Sequence, residues 1–268
     1  MERHLIIIDL DGTLMLDFSH YDQETIDYLN KLTRDGHIIM IATGRPLRSS
    51  FFVYQAIGLN SPIINYNGAL VKHPFDDKFP KTDLRVERED LVKIFNYASE
   101  NMINVFGEIH DDIYVLDYND EIHDFLHVDG GILHEGPLQE TLPENPNGCL
   151  MFVNSDFVED LQAYVKENFS ERLHSRYWSV GDYHVVEIYN IAVNKGAGFK
   201  QAIEYYNIDP KNTIAIGDGH NDIEMFDIAS TSVAMKNSHK DLFNHATTVT
   251  DSVDNQGVLK FLKSYFEK

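Results

Sequence analysis

Apolar residues along this chain fall in short runs that alternate with stretches of helical spacing. Leu5-Ile6-Ile7-Ile8 is continuous, rich in β-branched side chains, and ends in Asp9-Leu10-Asp11-Gly12. Such a run predicts a strand buried on both faces, as in a parallel sheet. Asp22 stands where a helix N-cap would, and Ile26, Leu29 and Leu32 follow at helical spacing as far as Gly36. His37 to Ala42 predicts a second buried strand. Pro46 can occupy the first turn of a second helix, running to about Gly58. Pro62 to Tyr66 predicts a third strand, closed by the turn signal Asn67-Gly68. The order β-α-β-α-β implies a doubly wound parallel sheet.

The pattern changes between about residues 82 and 190. Helices are expected over Asp90 to Glu100 and Phe157 to Asn168. Short strands are expected at Asn104 to Phe106, Ile113 to Leu116, Leu150 to Val153 and Tyr183 to Tyr189. That mixture predicts an α+β module with an antiparallel sheet. After residue 190 the α/β rhythm returns. Lys195 to Tyr206 predicts a helix, Thr213 to Ile216 a buried strand and Asp222 to Ala229 a short helix. A strand at Ser232 to Met235 and a last helix near Gly257 to Phe266 complete the chain. The economical architecture is α/β: a doubly wound parallel-sheet core from residues 1–81 and 191–268, with an α+β domain of residues 82–190 inserted.

Charge sharpens this division. The 268 residues hold 22 Lys and Arg against 43 Asp and Glu, a formal net charge of −21. Positions 82–190 hold 23 acidic and 6 basic residues, so −17 of that charge sits in the insertion and −4 elsewhere. Such a chain repels DNA, RNA and anionic lipid, which argues against nucleic-acid and membrane partners. The apolar runs are far too short to span a bilayer and no signal-peptide pattern opens the chain, so a soluble, cytoplasmic protein is expected. A single cysteine, Cys149, excludes an intramolecular disulfide and any CxxC site.

Four small clusters stand at predicted strand or helix ends of the core, where open α/β sheets gather their active sites. In Asp9-Leu10-Asp11-Gly12-Thr13, two carboxylates two residues apart can divide the work. One can attack and bind metal while the other exchanges protons, and a metal would relieve their repulsion. Thr43-Gly44-Arg45 offers a hydroxyl and a flexible backbone to a phosphate oxygen, although a Thr there is more often merely a cap. Lys195 stands at a helix start, the end that disfavours cations, and a bound phosphate would resolve that conflict. Gly217-Asp218-Gly219-His220-Asn221-Asp222 resembles the start of a dinucleotide fingerprint but lacks its third glycine. Its carboxylates would repel a pyrophosphate. Asp218 and Asp222 suit a hard divalent cation instead. Together these are the parts for metal-assisted phosphoryl transfer through an aspartyl-phosphate.

The chain resembles the haloacid dehalogenase-like phosphatases, and among them the Cof-type hydrolases. Asp9-Leu10-Asp11-Gly12-Thr13-Leu14 looks like their first motif, Thr43 their second, Lys195 their third and Gly217 to Asp222 their fourth. Asn67-Gly68-Ala69 resembles a segment common in that group, and a large α+β cap lies between the second and third motifs. The resemblance implies a Rossmann-like core and roles for its residues. Asp9 would be the nucleophile and Asp11 the general acid and base. Mg²⁺ would be held by the Asp9 carboxylate, the Asp11 backbone carbonyl and the Asp218 carboxylate, with Asp222 supporting the metal site. Thr43, Gly44, Lys195 and Asn221 would bind the phosphoryl oxygens.

The inserted domain would then contact the leaving group. Its charge favours a small phosphorylated metabolite, such as a sugar phosphate or a phosphorylated cofactor precursor, over a polyanionic macromolecule. His184, Glu187 and Asn190, near the return to the core, are the candidate contacts. Arg176-Tyr177-Trp178 could stack on a sugar or a flavin-like ring. A phosphomutase and a non-turnover phosphometabolite-binding regulator are the alternatives. The scarcity of basic residues in the insertion argues against the first, and the intact Asp9 and Asp11 against the second.

Overall fold

A computed structural model describes residues 2–267, with only the backbone described at Glu121 and Asp124. The first part of the chain forms β1 (Leu5–Ile8), α1 (Gln23–Arg34), β2 (Ile38–Ala42), α2 (Phe51–Ile57), β3 (Ile63–Asn65), β4 (Leu70–Lys72) and β5 (Thr82–Asp83). The middle forms α3 (Arg88–Ala98), β6 (Met102–Ile109), β7 (Asp112–Val115), α4 (Asp120–Leu126), β8 (Leu133–Glu135) and α5 (Leu138–Thr141). It continues with β9 (Gly148–Asn154), α6 (Val158–Phe169), β10 (Leu173–Val180) and β11 (Tyr183–Asn190). The last part forms α7 (Lys195–Tyr206), β12 (Thr213–Gly217), α8 (Ile223–Ile228), β13 (Thr231–Ala234), β14 (Thr248–Val249) and α9 (Gly257–Phe266).

The described chain divides into two compact units. One, the core unit, comprises residues 1–45, 50–82 and 194–268; the other, the inserted unit, comprises 46–49 and 83–193. The sheet of the core unit has the order β14-β13-β12-β1-β2-β3-β4-β5. From β14 to β3 every pairing is parallel, and β4 returns antiparallel on β3. All four residues of β1 and all five of β2 are buried, which is why both read as unbroken apolar runs. Leu5, Ile7, Met40, Ala215 and Phe199 share one apolar cluster with the helices on that face. The Asp22 side chain caps α1 by accepting from Thr25 N at 2.8 Å.

The order places β1 between β2 and β12, so the chain leaves the sheet in opposite directions on its two sides. The loops after β1 and β12 therefore flank a topological switch point, where a crevice opens at the carboxyl ends of the strands.

The inserted unit holds a sheet of order β10-β11-β9-β6-β7-β8, antiparallel except where β7 pairs with β8. Leu91 and Ile94 of α3 and Leu161 and Val165 of α6 cluster with Met151 and Val186 on one face. Ile122 and Leu126 of α4 cluster with Phe106, Phe152 and Val185 on the other.

Two expectations need correcting. The second helix starts at Phe51 rather than Pro46. Residues 46–49 are held by the inserted unit: the buried Arg48 guanidinium pairs with Glu108 and donates to Leu126 O at 2.7 Å and His127 O at 2.9 Å. Its backbone N–H donates to Asp111 Oδ1 at 2.7 Å. These distant partners override the local preference of Pro46 for a helix start. The extent of the strand β10 around Arg176-Tyr177-Trp178 was also not expected. It pairs only with β11, at the sheet edge, and its exposed polar and aromatic side chains blur the alternation that marks a strand.

Candidate active site

The loop after β1 turns tightly on one carbonyl, with Thr13, Leu14 and Met15 N–H all donating to Leu10 O at 2.8–3.2 Å. Gly12 makes the turn possible. Its φ of +78° is left-handed, and a Cβ there would lie 2.2 Å from Asp218 Oδ2. Thr13 Oγ1 donates to Asp218 Oδ1 at 3.1 Å, so the two loops at the switch point grip one another.

Lys195 opens α7 and is fully buried. Its Nζ donates to Asp9 Oδ1 at 2.5 Å and to Asp222 Oδ1 at 2.6 Å. Asp222 has its other oxygen bonded to the N–H groups of Asp218 at 3.0 Å and Gly219 at 2.9 Å. Carboxylate oxygens of Asp9, Asp218 and Asp222 all lie within 4.8 Å of one another. Two carboxylates therefore bind one ammonium, and a third carboxylate stands close to both of them. Burial works against the charge on Lys195, but Asp222 and Asp9 outweigh it and raise its pKa. Burial holds the Asp9 carboxyl well above the usual range; Lys195 lowers it, while Asp222 and Asp218 raise it further. Burial and the Asp222 charge push Asp218 up to about 6. A surplus of buried negative charge, presented by oxygen atoms at mutual contact, is the donor set a hard divalent cation takes.

Asp11 lies apart from this trio, with a side chain 50% exposed. Arg45 holds it: Nε donates to Oδ2 at 2.9 Å and Nη2 to Oδ1 at 2.5 Å. The same guanidinium donates from Nη1 to Phe18 O at 2.8 Å and lies over the Phe18 ring, 4.9 Å from its centroid. Sequence reasoning missed Arg45 as a working side chain. Its position beside Thr43-Gly44 was the available signal.

Thr43 is fully buried, and its Oγ1 accepts from Arg45 N at 3.1 Å. Asn67 N donates to Thr43 O at 3.0 Å, and Asn221 Nδ2 donates to Asn67 Oδ1 at 2.8 Å. Thr43, Gly44 and Asn221 thus meet around Asn67, a residue sequence reasoning read as a turn and as part of a segment common among Cof-type hydrolases, without a role in the site.

The three candidates in the inserted unit do not converge. Strand alternation puts His184 and Asn190 on the face of β11 that carries Val186 and Ile188, and Glu187 on the opposite face. His184 contacts Ser155 Oγ and Ser179 Oγ, each at 3.0 Å. Asn190 donates to Arg85 O at 2.9 Å, and Glu187 pairs with Arg176 across the strands.

Comparison with known proteins gives the family of the chain. A family model described as haloacid dehalogenase-like hydrolase matches residues 6–262. The 5-amino-6-(5-phospho-D-ribitylamino)uracil phosphatase YitU of Bacillus subtilis is 33% identical over 264 residues, covering 98% of this chain and 97% of that protein. The pyridoxal phosphate phosphatase YbhA of Escherichia coli is 26% identical over 283 residues, covering 99% of each. A haloacid dehalogenase-like hydrolase from Bacteroides thetaiotaomicron superposes with a TM-score of 0.83 at 18% identity, over 99% of this chain and 100% of that one. The match spans both units and includes all four sequence clusters, so the chain belongs to the haloacid dehalogenase-like hydrolases.

Proposed function

We propose that this enzyme is a phosphatase that removes phosphate from a small phosphorylated metabolite through an aspartyl-phosphate on Asp9. The observation that carries the reading is the Lys195 ammonium at 2.5 Å from Asp9, beside a cluster of three carboxylates whose oxygens lie within 4.8 Å of one another. Lys195 occupies Asp9 Oδ1, which leaves Oδ2 to attack phosphorus. The new bond joins that oxygen to phosphorus as the ester P–O bond breaks. Asp11, in its protonated form, gives its proton to the departing alkoxide. It then takes a proton from water as that water attacks the aspartyl-phosphate, and inorganic phosphate leaves. Arg45 aims the Asp11 carboxyl for both transfers. Thr43, the backbone at Gly44, Lys195 and Asn221 hold the phosphoryl oxygens, whose charge must be neutralised beside a carboxylate nucleophile.

The carboxylates of Asp9 and Asp218, with the backbone carbonyl of Asp11, would hold Mg²⁺. Bound there, the ion supplies the positive charge that lets an anionic nucleophile approach an anionic phosphoryl group. Both oxygens of Asp222 are already engaged, so its part is to hold Lys195 and the loop at Asp218 rather than to ligate directly.

The inserted unit, residues 83–193 with 46–49, carries the leaving-group specificity in this reading. The names of the two phosphatase relatives direct the choice toward phosphate monoesters of small nitrogen heterocycles, with the ribitylaminouracil phosphate first. Phosphate release from that compound, pyridoxal phosphate and a set of sugar phosphates, with Mg²⁺ and with EDTA, tests the proposal. Metal-dependent release that disappears in Asp9→Asn is expected. Release that persists in a clean Asp9→Asn preparation would exclude Asp9 as the nucleophile.

A further inference from the structure

The turn after β3 carries a strain that the fold alone does not require. Tyr66 and Asn67 adopt φ of +49° and +55°, followed by Gly68 at +111°. Two successive residues with side chains in the left-handed region are unusual, and an aromatic one there is disfavoured. Conformations of this kind are costly and persist only where their surroundings over-determine them.

The surroundings here are the candidate phosphate-binding segments. Tyr66 N–H and Asn67 N–H donate to the carbonyls of Arg45 and Thr43, at 3.3 and 3.0 Å. The Asn67 amide packs on Gly44 so closely that a Cβ there would be 3.3 Å from both its Nδ2 and its Oδ1. Gly68 lies against the residue before Lys195: a Cβ on Gly68 would be 2.3 Å from Asn194 O. Asn67 Oδ1 accepts from Asn221 Nδ2. One strained turn thus touches the Thr43-Gly44 segment, the start of α7 and Asn221.

We propose that Asn67 is a positioning residue for the phosphoryl cradle. Its carbonyl fixes the rotation of the Asn221 amide, so that one N–H of Nδ2 is spent on Asn67 and the second is directed to a phosphoryl oxygen. Its left-handed backbone, in turn, sets the distance between Gly44 and Asn221. The proposal rests on the phosphatase reading and adds to it a residue outside the four clusters.

Asn67→Gly separates the side chain from the backbone, because glycine accepts a φ of +55° without strain. We expect that variant to keep the wild-type melting temperature to within a few degrees. Its kcat/KM should fall by about 10- to 100-fold, and inhibition by inorganic phosphate should weaken by about tenfold, the range of a lost hydrogen bond to a charged group. In an Asn221→Ala background the same change should cost less than about threefold, since the two residues act as one unit. Asn67→Asp, which keeps the acceptor but adds a carboxylate beside Gly44, should weaken phosphate inhibition by about tenfold or more. It serves should Asn67→Gly fail to fold.

Wild-type protein and Asp9→Asn are assayed alongside. An active wild type, a dead Asp9→Asn and an Asn67→Gly within about twofold of wild type in kcat/KM and phosphate inhibition would overturn this inference and leave the phosphatase reading standing. Full multiplication of the Asn67→Gly and Asn221→Ala losses would overturn it as well. A wild type that neither releases nor binds phosphate removes both.

Discussion

Each unit of the molecule buries a cationic side chain among carboxylates, and the two clusters are built differently. In the inserted unit, the Arg48 guanidinium pairs with Glu108 and also donates to the carbonyls of Leu126 and His127. There one guanidinium is matched with one buried carboxylate. In the core unit, Lys195 faces Asp9 and Asp222, and Asp218 stands within reach of both. Carboxyl groups there outnumber the ammonium by three to one. A balanced buried pair is a fastening, because removing either partner strands the other. A cluster with surplus carboxylates is unfavourable by itself, and in the proposed reading a further cation relieves it.

That contrast can be broken by experiment, and the largest expected effect is on turnover. Asp9→Asn should lower phosphate release by about 10⁴-fold or more, as loss of a nucleophile does. The same variant should melt higher than wild type in metal-free buffer, because it removes one of the crowded carboxylates. A lower melting temperature would show that Asp9 is structurally favourable and would undo the comparison.

Next in size is the opposite sign in the other unit. Arg48→Met leaves Glu108 buried without its partner and should destabilise the protein by about 3–5 kcal/mol. Thermal unfolding measures it, and Mg²⁺ should not restore the loss. Arg45→Gln should lower kcat by about 10- to 100-fold with little change in KM, because Asp11 loses its aim but the phosphate cradle stays. A change confined to KM would move Arg45 from the proton-transfer step to substrate binding.

Two pH effects are smaller. Asp218 is pushed up to about 6 from the usual 3.8, so the folded metal-free protein binds a proton more tightly than the unfolded chain. That contribution to stability is complete below pH 3.8 and is lost as pH rises through about 6, and saturating Mg²⁺ should suppress the dependence. His37 behaves in the reverse sense. Burial lowers its pKa below the usual 6.5, so its contribution is present above pH 6.5 and lost as pH falls. Melting curves of wild type and His37→Gln between about pH 7 and 5 should converge toward the acid end.

Much of the core unit was legible because its strands are buried on both faces and its chemistry clusters where those strands stop. Leu5-Ile6-Ile7-Ile8 followed by Asp9 needs no partner to be read. Lys195 was visible because a lysine at a helix start contradicts local electrostatics. What stayed hidden depends on partners remote in sequence. Arg45 is assigned by its bonds to Asp11, and Asn67 by its bond to Asn221, 154 residues away. The start of α2 was misplaced for the same reason, since Arg48 answers to Glu108 and not to its neighbours. The candidate contacts in β11 differ in kind: counting by two along the strand already separates His184 and Asn190 from Glu187.

The register of the central sheet also bears on how the protein is made. Leu5 lies beside Thr213, so β1 obtains its neighbour β12 only after the ribosome has passed some 200 further residues. The inserted unit ends at residue 193, twenty residues before β12 begins. During synthesis a bare edge of Leu5 to Ile8, fully apolar and already paired with β2 on one side, waits for the strand that will cover it. Such an edge is the segment most exposed to pairing with another nascent chain. The acidic insertion emerges in that interval, and its net charge of −17 gives neighbouring chains on the same polysome a reason to stay apart.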